Sequence, residues 1–132
     1  MITSGSEIEI RDSPTDGISA VKFGHFSDTL LIVSSWDSSV YLYDAVENVS
    51  KAKFPFDSAL LDCCFGYSST LAFTGGLSRR VIELELNTVQ SRVLGSHDEA
   101  VKCVIPCKET GNTINTDFLY GNCRTFILWI VG

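Results

Sequence analysis

Basic residues are scarce in this sequence: ten Lys and Arg stand against sixteen Asp and Glu, for a net charge of −6. Such a balance repels a phosphate backbone unless the few cations cluster, and the one adjacent pair is Arg79-Arg80, so nucleic acid is not expected as a direct partner. Long apolar runs are missing as well. The opening "MITSGSEIEIRDSP" has neither a basic n-region nor an apolar h-region. The longest apolar run, "FILWIVG" at the C-terminus, is far short of the roughly 20 residues that span a bilayer. A protein of the cytosol or nucleus is expected, with no membrane partner. Cysteines at metal or redox spacing are a third absence. Cys63 and Cys64 are adjacent inside an apolar run, Cys103 and Cys107 straddle Pro106, and Cys123 stands alone, so no C-x-x-C pair exists. They read as reduced, mostly buried small hydrophobes, and no metal or cofactor is implied.

Apolar material is plentiful. Hydrophobic residues make up 45 % and aromatics 11 % of the 132 residues, enough for one domain with a core and with no compositional sign of disorder. Their arrangement repeats. "DGISAVKF" (Asp16 to Phe23), "SALLDCCF" (Ser58 to Phe65) and "DEAVKCVI" (Asp98 to Ile105) each open on polar residues and run into a β-rich apolar stretch, at intervals of 42 and 40 residues. "SSWDSSVYLYD" from Ser34 lies over "GGLSRRVIELE" from Gly75 at an offset of 41. Two independent landmarks therefore agree on one period.

Within each period the spacing is that of strands. "SAVKF" and "VYLYD" alternate, "TLLIV" and "TLAFT" are short apolar runs, and Ser38-Ser39, Gly75-Gly76 and Asn87 separate them. No helical stripe is long enough to compete. Four short strands per repeat of about 40 to 45 residues is the pattern of a propeller blade. The expected class is all-β, with an N-terminal segment 1–15, repeats over 16–57 and 58–97, and a partial, divergent third repeat over 98–132. Third strands should end near Asp44 and Glu85.

Tyr43-Asp44, at the place where a Trp-Asp pair closes a third strand, and "GSHD" (Gly95 to Asp98) at a blade opening resemble WD40 repeats. "DGISAVKF", "LLIVSSWDSSVYLYD", "LLDCCF", "FTGGL" and "LGSHDEAVKCV" together resemble the N-terminal part of a spindle-checkpoint WD40 family, the third of the budding-uninhibited-by-benzimidazole (Bub) series, in its plant-like version. The resemblance runs from about Ile8 to Lys108. It implies a non-catalytic scaffold that binds checkpoint kinases and kinetochore scaffold proteins through short peptide motifs, in the nucleus and cytoplasm and at kinetochores in mitosis. A nuclear-export propeller of the mRNA-export type is the alternative, and a regulatory fragment that associates with intact propellers is another. The family's ring has seven blades, whereas this sequence ends inside a third repeat, as an N-terminal fragment or truncated isoform would. From Asn112 onward "NTINTDFLYGNCRTFILWIVG" replaces the expected second Ser-Trp-Asp turn. This tail is either a degenerate strand with an insertion or unrelated sequence from altered splicing or a shifted frame. Two to three blades cannot close a ring, so exposed apolar faces and a marginal fold are expected.

Trp36 sits in a predicted turn, where a large apolar side chain is partly exposed and suited to anchor a peptide; the resemblance places the matching tryptophan on the peptide-gripping top face. Asp37 is expected to shape the turn by bonding its own backbone, and is a second partner-binding candidate. Leu77 holds the corresponding place in the second repeat. Asp16 and Ser58, with Asp98, open the innermost strands and should cap them on the same face. Ser96, His97 and Asp98 are consecutive, so their side chains cannot converge as a triad; His97 is expected in a structural hydrogen bond. His25 is a lone loop histidine, and Arg79-Arg80 a solvated turn that an acidic peptide could use. A hydrolase on a small β-domain is the reading of a different class, and neither histidine offers it a nucleophile and base.

Overall fold

The structure is a computed structural model that describes residues 7–24, 27, 29–66, 70–107, 116–121 and 126–131. His25 and the stretch from Asn112 to Asn115 lie outside the described residues. Among the described residues eleven strands form three antiparallel sheets. The first holds β1 (Ile18–Phe23), β2 (Leu30–Ser35), β3 (Ser39–Asp44) and β4 (Val49–Pro55) in that order. The second holds β5 (Leu60–Phe65), β6 (Leu71–Gly76), β7 (Arg80–Glu85) and β8 (Gln90–Ser96), again in sequence order. In the third, β10 (Thr116–Gly121) pairs with both β9 (Cys103–Cys107) and β11 (Phe126–Val131). The third strands end at Asp44 and Glu85, where the spacing places them, and no helix occurs among the described residues.

The two-residue period explains why these segments are strands. Along β3, Val40 and Leu42 join the cluster between the first two sheets, whereas Tyr41 and Tyr43 join a cluster on the opposite face with Leu31 and Val33. Both faces of β3 are covered. The same alternation in β6 sends Ala72 into the first interface and Phe73 into a second cluster, where Val104 of the third sheet and Val101, just before β9, meet Cys64 and Val81.

The 41-residue period is written into the backbone as well as the side chains. Left-handed φ values occur at Ser38 and Arg79 (75° and 70°) and at Asn48 and Val89 (56° and 55°), each pair 41 residues apart. These are turn positions, where a positive φ fits the twist of a tight hairpin. The hydrogen bonds that close the loops repeat too. Ala45 N donates to Thr29 O and Leu86 N to Thr70 O, while Phe56 N donates to Ser38 O and His97 N to Arg79 O.

Polar links tie the sheets together on the inner side. Ser19 Oγ donates to Leu60 O (2.7 Å) and meets Ser34 Oγ at 2.7 Å, joining sheet one to sheet two. Asp62 Oδ1 accepts from Lys22 Nζ of β1 at 3.0 Å and from Cys63 N at 2.9 Å; its Oδ2 accepts from Val104 N of β9 at 2.9 Å. One carboxylate therefore touches all three sheets. Desolvation by itself would lower the Lys22 pKa, but the hydrogen bond and charge of Asp62 outweigh it and hold the ammonium above its ordinary value. The stability linked to that raised pKa is present below the unfolded value and is lost as pH rises through the folded one.

Where sheet one has Ser34-Ser35, sheet two has Gly75-Gly76, with the Val101 side chain against Gly75 and the backbone of Ala59 and Leu60 against Gly76. A Cβ on Gly76 would strike Ala59 O and stand 2.7 Å from Leu60 Cα. One on Gly17 would meet only Trp36 Cδ1 at an ordinary 3.6 Å. Gly76→Ala is therefore expected to cost about 1–3 kcal/mol through overpacking, and Gly17→Ala much less, as read from urea unfolding midpoints. Equal effects of the two would show that the β5 backbone can yield.

Candidate functional site

One end of the sheets collects the turns that the sequence singles out. Register fixes the geometry: Ile18 pairs with Ser35 and Leu60 with Gly76, so each inner strand begins beside its own β2–β3 or β6–β7 turn. The Ser19–Leu60 bond sets the two beginnings side by side. Val101 N donates to Gly76 O at 3.0 Å, which brings the entry to β9 to the same end. Trp36, Leu77, Asp16, Ser58 and Asp98 therefore share one end of the molecule.

Trp36 is 47 % and Leu77 46 % exposed, a large apolar side chain at each of two equivalent turns. Each is held by its backbone and not by burial. Trp36 N donates to Gly17 O (2.8 Å) and Leu77 N to Ala59 O (3.0 Å). Asp16 is exposed, and its Oδ1 accepts from Gly17 N at 2.7 Å, a cap at the start of the strand. Ser58 is half-buried and Asp98 exposed. Arg79 is exposed at the turn, and Arg80 Nη2 reaches Asp57 Oδ2 at 3.5 Å in an exposed pair.

Asp37 is the most heavily bonded residue of this end. Its Oδ1 accepts from Ser39 N (2.9 Å); its Oδ2 accepts from Tyr41 Oη (2.6 Å), Thr15 N (3.0 Å) and Thr15 Oγ1 (3.4 Å). Ser35 Oγ accepts from Asp37 N and donates to Gly17 O. Desolvation would raise the Asp37 pKa, but the Tyr41 hydroxyl and the Thr15 and Ser39 amides outweigh it and hold the carboxyl below its ordinary value. Burial, reinforced by the bond to Asp37, pushes Tyr41 up to about 12. The carboxylate thus fixes the turn that presents Trp36.

His97 is buried while Ser96 and Asp98 are exposed, so the three consecutive residues do not converge. Burial lowers the His97 pKa, and the charge of Asp98 opposes that shift only in part. Among the described residues no group of three His, Cys, Asp or Glu side chains is placed to hold a metal ion. Cys63 and Cys64 are free and buried, and burial pushes the Cys63 thiol up to about 12.

Two four-stranded sheets and a three-stranded one thus carry an apolar pair at one end. No protein-family model matches the chain. "Mitotic checkpoint protein BUB3.1" of Arabidopsis thaliana is 41 % identical over 103 residues, 78 % of this chain and 30 % of that protein. "Mitotic checkpoint protein BUB3.3" of the same plant is 34 % identical over 115 residues, 87 % of this chain and 36 % of that protein. This is a Bub3-like WD40 chain. A "Poly(A)+ RNA export protein" of Schizosaccharomyces pombe is similar at 27 % identity over 101 residues, 74 % of the chain and 28 % of that protein. The checkpoint proteins thus match at higher identity than the export protein. The Bub3-like chain spans about a third of the length of the curated relatives it matches.

Sequence reasoning passed over two features of the structure. One is the Arg80–Asp57 pair, whose members are 23 residues apart. The other is the N-terminal segment, which is pinned along sheet one: Asn48 accepts from Arg11 N and donates to Glu9 O, Tyr43 Oη donates to Asp12 O, and Thr15 bonds Asp37. The left-handed Asn48 was the available signal for a special turn there, since asparagine tolerates that conformation well.

The depressed Asp37 pKa gives a pH test. A group whose folded pKa is lowered adds stability above its unfolded value, near 3.9 for an aspartate, and loses it as pH falls through the folded value. Asp37→Asn should cost about 1–2 kcal/mol at pH 7, with the gap to wild type narrowing as pH falls below about 4. Urea titrations at the two pH values check this; a constant gap would mean that the carboxylate charge does not matter to the turn.

Proposed function

We propose that this chain is a non-catalytic interaction module of the mitotic spindle checkpoint, and that it grips a short peptide motif of a checkpoint kinase or kinetochore scaffold protein. The observation that carries the reading is the matched exposure of Trp36 and Leu77 on equivalent turns of neighbouring sheets. Two apolar anchors at one end suit an extended peptide, and large aromatic side chains at such places dominate binding energies. Asp16, Asp37 and Ser58 shape the rim. Checkpoint names among the better-matched relatives favour this role over mRNA export.

Trp36→Ala should weaken binding of a synthetic kinase-motif peptide by about 2 kcal/mol or more, with little loss of stability because an exposed side chain leaves no cavity. Tyr43→Ala, at a side chain that is 1 % exposed, is the packing control and should cost about 3–5 kcal/mol of stability. Calorimetric titration and thermal unfolding of both variants decide the matter. If Trp36→Ala unfolds the chain as badly as Tyr43→Ala while the folded remainder binds normally, Trp36 is a packing residue and the site is wrongly placed.

A further inference from the structure

The outer hairpins of sheets one and two differ at one place, and the difference leaves a cation without its acid. In sheet two, Arg92 of β8 lies opposite Glu83 of β7, with Nη2 at 2.7 Å and Nε at 3.0 Å from Glu83 Oε2. The residues 41 positions earlier are Lys51 of β4 and Leu42 of β3. A leucine thus stands where the repeat has a carboxylate, and among the described residues Lys51 takes part in no ion pair.

The backbone of β4 aims this cation. Alternation puts Ala52 and Phe54 on the side of sheet two and Lys53 on the other, where its Nζ lies 5.4 Å from the centre of the Tyr41 ring. A regular strand would send Lys51 the way of Lys53. Leu42 pairs with Ala52 and Tyr43 with Ser50, however, so Lys51 is the extra residue of a β-bulge, a device that re-aims the side chain it carries. Lys51 accordingly borders a groove of ≈ 320 Å³ between sheets one and two, with Leu30, Leu42, Leu86, Asn87 and Val89 as the rest of its lining.

Leu30 opens β2 and residues 86–89 make the β7–β8 turn, so the groove lies at the end opposite Trp36 and Leu77. Both of its walls belong to sheets one and two, and neither depends on what adjoins the outer faces of sheets one and three. The nearby carboxylates are turned to their own loops: Asp44 Oδ1 accepts from Val46 N and Glu47 N, and Glu85 Oε1 from Asn87 N. Val89 is left-handed (φ 55°) and half exposed, at the position where sheet one has Asn48. Asparagine tolerates that conformation, whereas a β-branched residue is strained in it. The strain keeps an apolar side chain at the mouth of the groove.

We propose that this groove binds a short peptide carrying a large apolar side chain with one carboxylate beside it. The apolar side chain enters between Leu30, Leu42 and Leu86, and the carboxylate meets Lys51 as Glu83 meets Arg92 in sheet two. A single carboxylate suits the site, because a chain of net charge −6 repels a run of them. This site is separate from the Trp36 end and goes beyond the peptide contact placed there.

Retention of the whole chain on an array of capped octapeptides tests this. Members carry Leu, Phe or Met at one position and Asp, Asn or Lys beside it, with Gly and Ser elsewhere. The apolar–Asp peptides should be retained over their Asn and Lys counterparts. In anisotropy titrations with the best-retained Asp peptide, Lys51→Gln should weaken binding by about threefold or more and abolish the preference for Asp over Asn. Val89→Asn should weaken binding while raising the urea midpoint, a combination that a purely structural role does not give. Trp36→Ala should leave this peptide's affinity unchanged, so failure at one end is told from failure at the other. Equal retention of the Asp, Asn and Lys members overturns the proposal, as does a Lys51→Gln or Val89→Asn chain that binds as wild type does. A Trp36→Ala chain that loses the peptide would assign it to the other end and overturn the proposal too. So would an array that retains no member, and binding of sodium decanoate by the same chain would then give the groove to acyl chains.

Discussion

Among the described residues, the carboxylate of Asp62 bonds into all three sheets, and the account of the fold turns on it. A hairpin sheet is satisfied along its own ladder, but each of its faces is buried only by the next sheet, so the array is as stable as the links between neighbours. At Asp62 an acidic side chain sits in an otherwise apolar strand, where an unpaired charge would be costly. It is paired on both oxygens: an ammonium from sheet one and an amide from sheet three, with the Cys63 amide as a local donor. The carboxylate therefore couples sheets that share no strand. The apolar clusters on either side of sheet two supply burial but little direction, and the directional bonds at Asp62 fix how the neighbours sit on it.

That inner register sets what the end of the molecule presents. With Leu60 held by Ser19 and Val101 by Gly76, the turns at Trp36 and Leu77 come to one end in the same backbone conformation. Position Ser38 or Arg79, left-handed in each turn, has no role in the core and leaves the preceding large side chain facing outward. In sheet one the turn is further braced by Asp37. In sheet two the equivalent residue is Ser78, whose Oγ accepts from Arg80 N, a weaker version of the same brace at 3.4 Å.

Much of this was legible beforehand, for a simple reason. Strand alternation and a fixed period are local properties of the chain, so the strand ends at Asp44 and Glu85 and the turn beneath Trp36 follow from spacing alone. Asp62 was not legible as a clip. It stands in "LLDCCF" as an acidic residue in an apolar run, which signals a paired charge, but its partners Lys22 and Val104 lie 40 and 42 residues away and meet it only once the blades stack. The N-terminal segment was likewise opaque, since its bonds to Asn48 and Tyr43 span 31 to 39 residues.

Amide hydrogen exchange on Asp62→Ala tests the clip most directly. Removing the carboxylate should speed exchange at Val104 and along the β9 edge and loosen β1 against β5, while amides of the β6–β7 hairpin inside sheet two keep their protection. If Val104 and β1 exchange as slowly as in wild type, the sheets are held by apolar packing alone and Asp62 is not what joins them.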